Sequence, residues 1–519
     1  MSLLDALLLD PVRTNIWIAV RTDGRAGSGT LNDPYDGSTA TKFDAVMSSL
    51  SQYTRVHLGP GTFQTNGYAD GVGGGWQPPI GMKIVGSGID VTILQLAGSA
   101  SAAHFYAIGH ALTTGSSPNS IDFFEVSDLT VDSNLGAFSA GSAAAGAVRV
   151  MGNHAKIRRI RVKNWGTKST SRPCFVAAVI TANPGVTGGL NGVEDCGIEG
   201  CIADTPYSIS NTGPVTIFHA GGIETASENV TGYGVAPYIR NCFADAGQTP
   251  PSAVIEIQGL SIAWCKAGIV EGNQMHNMTY GGPFQQTTSA QDIIARNNWC
   301  RNVNKGVVLG SMGASRGSGA LSVTAGVATV GLTNSQLAVG DIVVLSSSSG
   351  GGIFNGIVVT VASVNSSQFT FNTTLSGADT VTVYKVFGVT ESVLIEGNTV
   401  ELATATTGVL IGIHNQDFAA TGVLQGTPPA YVFQDVIVRD NKVRYLDGTP
   451  PAPGYVGYGI QVNSAANLIV RNNVVDSEPA NPIRNNRCGS VTYFNDLTSN
   501  GTLIQGFNAD TNTIECRII

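Results

Sequence analysis

The chain has 519 residues, 65 of them glycine, with 42% hydrophobic and only 12% charged residues. So apolar and weakly charged a composition excludes a disordered chain and a heptad coiled coil, and glycine lacks the three-residue period of collagen. The net charge is −8, and the 28 Lys and Arg form no dense run, so no basic stripe for nucleic acid is present and no apolar stretch of about 18 residues offers a membrane span.

Met1 to Pro11 reads MSLLDALLLDP, without a basic n-region and interrupted by Asp5 and Asp10. This predicts a short helix that docks its leucines on a partner or on the body, not a secretory leader. Residues 1–42 are an N-terminal segment suited to attachment. Assembly in the cytoplasm, with a virion or extracellular surface as destination, is the matching expectation. The eight cysteines include no CxxC and no zinc spacing, so reduced buried thiols, no metal and no cofactor are expected.

The body starts with FDAVMSSL at Phe43, a short amphipathic helix, followed by the strands RVHLGPGTFQT and GMKIVGSGIDVTILQL. A six-residue frame then recurs: VSDLTV at Val126, IRRIRV at Ile157, VEDCGI at Val193, IRNCFA at Ile239 and VEGNQM at Val270. It continues as ARNNWC at Ala295, IEGNTV at Ile395, VRDNKV at Val438 and VRNNVV at Val470. Alternation within each frame predicts a strand. Repetition every 25 to 46 residues, with almost no helical pattern between, predicts a solenoid of about thirteen coils. The fourth residues, ending in Asn273, Asn298, Asn398, Asn441 and Asn473, should form an internal amide ladder. One spacing, Asn298 to Asn398, is 100 residues. Within it, residues 321–386 hold about six short strands with Gly and Ser turns, a β module of its own. The domains are therefore 43–315 as the first part of the solenoid with its N-cap, 316–387 as an inserted small β-barrel-like module, and 388–519 as the second part and C-terminal cap.

Residues 43–96, with PGTF and the IxGxG…TxL strand, resemble the start of the pectate-lyase-like superfamily. The resemblance implies an all-β fold: a right-handed parallel β-helix with a short N-terminal capping helix. The inserted module, with GVATV, VGDIVVL, FNG and FTF, is similar to a small β module common in phage tail proteins. The motifs of β-helical polygalacturonases and the acidic calcium cluster of pectate lyases have no match, so neither family's catalytic residues are carried over. The leading reading is a phage-type tailspike or tail-fibre protein that binds cell-surface polysaccharide, of capsule or lipopolysaccharide type, with depolymerisation left open. A homotrimer and tail attachment through the N-terminus are what the resemblance implies. A cellular glycoside hydrolase or polysaccharide lyase of the same fold, and a non-catalytic adhesive rod, stay open as alternatives.

The outward second position reads Ser127, Arg158, Glu194, Arg240, Glu271, Arg296, Glu396, Arg439 and Arg471. Opposite signs stacked at roughly 4.8 Å predict an ion-pair ladder. The outward seventh position breaks its alternation at Glu199 and Asp245, followed by His276. Two carboxylates on adjacent coils would raise one another's proton affinity and divide acid and base roles in glycoside hydrolysis. Glu199, Asp245 and His276 are therefore the candidate catalytic residues, and Phe243, Gln274, Trp299 and Arg301 the substrate-binding ones. Loop residues Tyr207, His219, Glu224, Glu228, Tyr233, His414, Asp417 and Tyr431 are further candidates.

Overall fold

In the computed structural model, residues 14–518 are described, save 71–74, 115–116, 170–173, 183–192, 208–214, 223–233, 248–256, 264, 283, 286–291, 311–313, 334, 336, 348–351, 355–356, 387–389, 404–409, 417–432, 447–456, 464, 476–482, 487–489, 495, 499–507 and 510–514. The Met1–Pro11 segment and the loop candidates Glu224, Glu228, Tyr233, Asp417 and Tyr431 lie outside the described residues.

Each recurring frame folds as two short strands joined by a bend. In IRNCFA, Tyr238–Arg240 comes first, Asn241 bends the chain, and Phe243–Asp245 follows. The third frame position takes a left-handed conformation in coil after coil: Asp128, Arg159, Gly200, Asn241, Gly272, Asn297, Gly397, Asp440 and Asn472 all have φ between 47° and 68°. Asn, Asp and Gly tolerate that region and fill eight of these nine positions, Arg159 being the exception. Strands before the bend stack in parallel as a first sheet, and strands after it as a second. A third sheet is built from Ala144–Met151, Cys174–Ala182, Val215–Gly222, Ile257–Ala263, Leu410–Gln416 and Gly457–Asn463. Together they form one 37-stranded, almost wholly parallel sheet, wound as a right-handed β-helix.

Inward-pointing side chains, mostly aliphatic with aromatics such as Phe124, Trp165 and Phe218 among them, make one continuous core from Ile18 to Ile483. The helix Ala40–Ser49 closes its N-terminal end. Thr39 caps it by accepting from the Lys42 amide, and Phe43 and Met47 are buried beside Phe63 and Trp76. The late coils carry the amide ladder. Asn273, Asn298, Asn398 and Asn441 each donate Nδ2 to the next Asn Oδ1 at 2.9–3.0 Å, and Asn473 donates to Asp496. Each Oδ1 also accepts the backbone amide of the preceding ladder residue.

The ladder runs straight across the long gap. Arg296 pairs with Glu396 and Trp299 with Thr399. Between them, strands from Ala314–Thr324 to Ala378–Val386 form a separate seven-stranded antiparallel sheet. It has its own core around Phe354, Phe369 and Phe371.

The structure corrects the register expected near residue 195. Ile157 and Arg158 pair with Ile198 and Glu199, not with Val193 and Glu194. The true frame is IEGCIA, from Ile198 to Ala203. VEDCGI imitates it because a second left-handed bend, at Asp195, Ala236 and Ala267, links the third sheet to the first. In this coil both bends follow an aliphatic–polar pair, Val193–Glu194 before Asp195 and Ile198–Glu199 before Gly200. Consequently Cys201, not Cys196, shares the inward position with Cys242. All six described cysteines are buried free thiols.

Candidate functional site

The outer face of the second sheet collects six of the seven residues expected to be catalytic or substrate-binding, all but Glu199. Phe243, Gln274 and Trp299 are in register on three successive coils, as are Asp245, His276 and Arg301. Two residues separate the rows along each strand, so both point the same way. His276 sits between Phe243 and Trp299. Its ring centroid is 5.2 Å from each, and both contacts are edge-on at 80° and 73°. The Arg301 guanidinium lies 5.9 Å from the Trp299 ring centre. Gln274 and Arg301 are exposed; the three rings are half-buried.

Glu401 anchors this face. It is buried, accepts from Trp299 Nε1 at 3.2 Å, and pairs with Arg301 at 3.5 Å and with Arg444. Glu401 and Arg444 hold the same seventh frame position on the next two coils, so the outward row that marked Asp245 and His276 was the signal that could have found them. Burial holds the His276 imidazole below its ordinary 6.5, so it is uncharged at neutral pH, and among the described residues its Nε2 has no hydrogen-bond partner.

Glu199 does not join this group. It lies before the bend, opposite Arg158 and Arg240, 3.6 Å from the Arg158 guanidinium. The predicted Glu199–Asp245 neighbour pair is therefore not formed. The carboxylate that follows Ala203, the coil partner of Ala244, is Asp204, and both its oxygens accept from Arg161. Asp245 accepts from the Gly247 amide and from Asn277 Nδ2, which orders the next bend. The face thus offers edges, rings and fixed charges for contact, and among the described residues no second carboxylate free to share a proton with Asp245. His219 is buried in the third sheet with Nδ1 3.0 Å from Ser261 Oγ. Nothing is described of the His414 side chain. Among the described residues no group of three metal-ligating side chains occurs and no helix is long and apolar enough to cross a membrane.

No family model matches the chain, and no curated protein matches it. Among solved structures it is similar to the A-module of a mannuronan C-5 epimerase of Azotobacter vinelandii, at 11% identity and TM-score 0.45, covering 97% of this chain and 100% of that one. It is similar to a surface adhesin of Streptococcus pneumoniae, at 11% identity and TM-score 0.45, over 92% and 88% of the two chains. A tailspike of an E. coli bacteriophage, bound to a pentasaccharide, gives 12% identity and TM-score 0.42 over 88% and 66%. What the chain shares with these proteins is the fold, the parallel β-helix that its own strand pairing shows. The fold by itself assigns no activity.

Proposed function

We propose that the protein binds a polysaccharide laid across the coils on the outer face of the second sheet. The observation that carries this is the cluster of Phe243, His276 and Trp299, three ring systems on successive coils drawn from two adjacent rows, with Gln274 and Arg301 beside them. Half-exposed aromatics offer apolar faces to sugar rings, and adjacent polar groups fix orientation. A carrier of tailspike or tail-fibre type, displayed on a virion as a homotrimer and attached through residues 1–42, is the fuller reading; the resemblance of the inserted module to phage tail modules supports it. The binding-only form is favoured over hydrolysis by one observation: Asp204, the carboxylate next to Asp245, is held at both oxygens by Arg161. The test is calorimetric titration against a panel of bacterial capsules and lipopolysaccharides. A bound glycan whose affinity drops at least ten-fold in Trp299→Ala supports the reading. An unchanged affinity in that variant overturns it.

A further inference from the structure

At the bend from the third sheet to the first, three left-handed positions near the N-terminal end carry aromatic rings. Tyr53 and Phe123 have φ 59° and His154 has φ 56°. A bulky residue at positive φ is strained, and such strain concentrates at functional sites. Backbone hydrogen bonds run along this corner from Tyr53 through Gly81, Phe123 and His154 to Asp195. Gly81 itself has φ 70°, and a Cβ there would come within 2.2 Å of the Tyr53 ring, so only glycine fits.

The Phe123 and His154 rings stack with centroids 5.0 Å apart and 18° between planes. Beside them opens a cleft of about 350 Å³. Its floor is a register row of the first sheet, Arg55–Lys83–Glu125–Lys156. Arg158 and Asp195 complete the wall. Of the charged side chains that line it, four are cations and two are carboxylates, on a chain of net charge −8. The carboxylates brace the cations: Lys156 lies 2.6 Å from Asp195, and Arg158 and Lys83 lie 3.5 and 3.9 Å from Glu125. A stacked aromatic wall over a braced cationic floor is the complement of a ring that carries an acid group.

We propose that this cleft is a second saccharide subsite, selective for a sugar residue bearing an anionic group, its ring against Phe123 and His154 and its acid group on Arg55, Lys83, Lys156 and Arg158. It rests on the glycan-binding reading above but shares no residue with the Trp299 face.

The test titrates the full chain with a hexauronate and with the same oligosaccharide after carboxyl reduction to neutral sugars. The hexauronate should bind at least ten-fold more tightly, and the preference should shrink as salt is raised. The double variant Arg55→Gln/Lys83→Gln should lose at least ten-fold for the hexauronate and nothing for the neutral form. Phe123→Asn, which keeps a residue suited to positive φ, should weaken binding of the hexauronate as well. A sulfated hexaose is the third probe; its binding in place of the hexauronate keeps the anionic site and assigns sulfate as the acid group. Equal affinity for the charged and neutral probes, or an unaltered double variant, overturns the proposal. If hexauronate binding survives Trp299→Ala and fails in the double variant, this subsite stands and the Trp299 platform falls. The reverse pattern leaves the platform and removes the subsite. Absence of binding to every probe and to the glycan panel removes both.

Discussion

Arg240 stands between Glu199 and Glu271, paired in register with each on the coils either side. With Glu199 in that place, signs alternate without a break from Arg158 to Arg439. Arg296 meets Glu271 at 2.5 Å and Arg439 meets Glu396 at 2.9 Å. Arg240→Glu would stack three carboxylates. We predict a loss of roughly 1–2 kcal/mol in chemical denaturation, since each partly exposed pair contributes little. The double variant Arg240→Glu/Glu271→Arg should recover part of it. A variant as stable as the parent would mean the ladder is electrostatically idle.

Asn398→Ala should be far more damaging. Asn398 Oδ1 accepts both the amide and the Nδ2 of Asn298, and its own Nδ2 donates to the Ala295 carbonyl and to Asn441. Truncation strands several buried polar groups at about 1–3 kcal/mol each. A loss of about 3 kcal/mol or more is expected in equilibrium unfolding, with most of it retained by no apolar replacement of similar size. A loss below about 1 kcal/mol would show that water replaces the amide.

Acid should weaken the fold through His110. It is buried, its Nε2 donates to the Asn119 carbonyl at 2.9 Å, its Nδ1 has no hydrogen-bond partner among the described residues, and burial holds its pKa down at about 4. The unfolded chain takes up this proton near pH 6.5, whereas the folded chain resists until about pH 4. The contribution is therefore complete above pH 6.5 and falls away between 6.5 and 4, by roughly 3 kcal/mol. His57 and His276 are shifted in the same direction by burial. Unfolding free energies measured at pH 7.5 and 4.5 should differ less in His110→Gln than in the parent. An equal difference in both would assign the acid sensitivity elsewhere.

The buried thiols should be inert in the folded protein. Burial pushes Cys174, Cys196 and Cys300 up to about 12. Thiolate is the reactive form. Alkylation of the native protein should therefore leave these three unmodified by mass spectrometry of peptides, and denaturation should expose them. Rapid native labelling at Cys174, Cys196 or Cys300 would contradict their burial.

The strands, the Asn ladder and the interruption between Asn298 and Asn398 were legible in the sequence because each obeys a local rule: alternation, a recurring amide, an odd spacing. The phase of one coil was not. Val193 to Ile198 and Ile198 to Ala203 both match aliphatic–polar–bend–Cys, since two corners of the coil demand the same backbone. Even spacing was the usable signal. Taking Cys201 as the fourth residue gives steps of 41 and 41 from Ile160 to Cys242, where Cys196 gives 36 and 46. That shift of five residues moved Glu199 from one sheet to another and dissolved the expected carboxylate pair, while Phe243, Asp245, Gln274, His276, Trp299 and Arg301 kept their places. The cleft beside Phe123 had no sequence signature, because its walls come from Arg55, Lys83, Glu125 and Lys156 on four coils whose lengths differ.

The amides of Asn273 to Asn473 all point one way, each handing its hydrogen to the next coil toward the C-terminus. Such a line polarises along its length, each link sharpening the next. It behaves as a directional polymer, able to accept a new link at one end by presenting a donor and awaiting an oxygen. Asp496 supplies that oxygen to Asn473 and carries no NH₂ to offer onward. A single atom exchanged for another, amide nitrogen for carboxyl oxygen, works as a stop signal written in the interior of the rod.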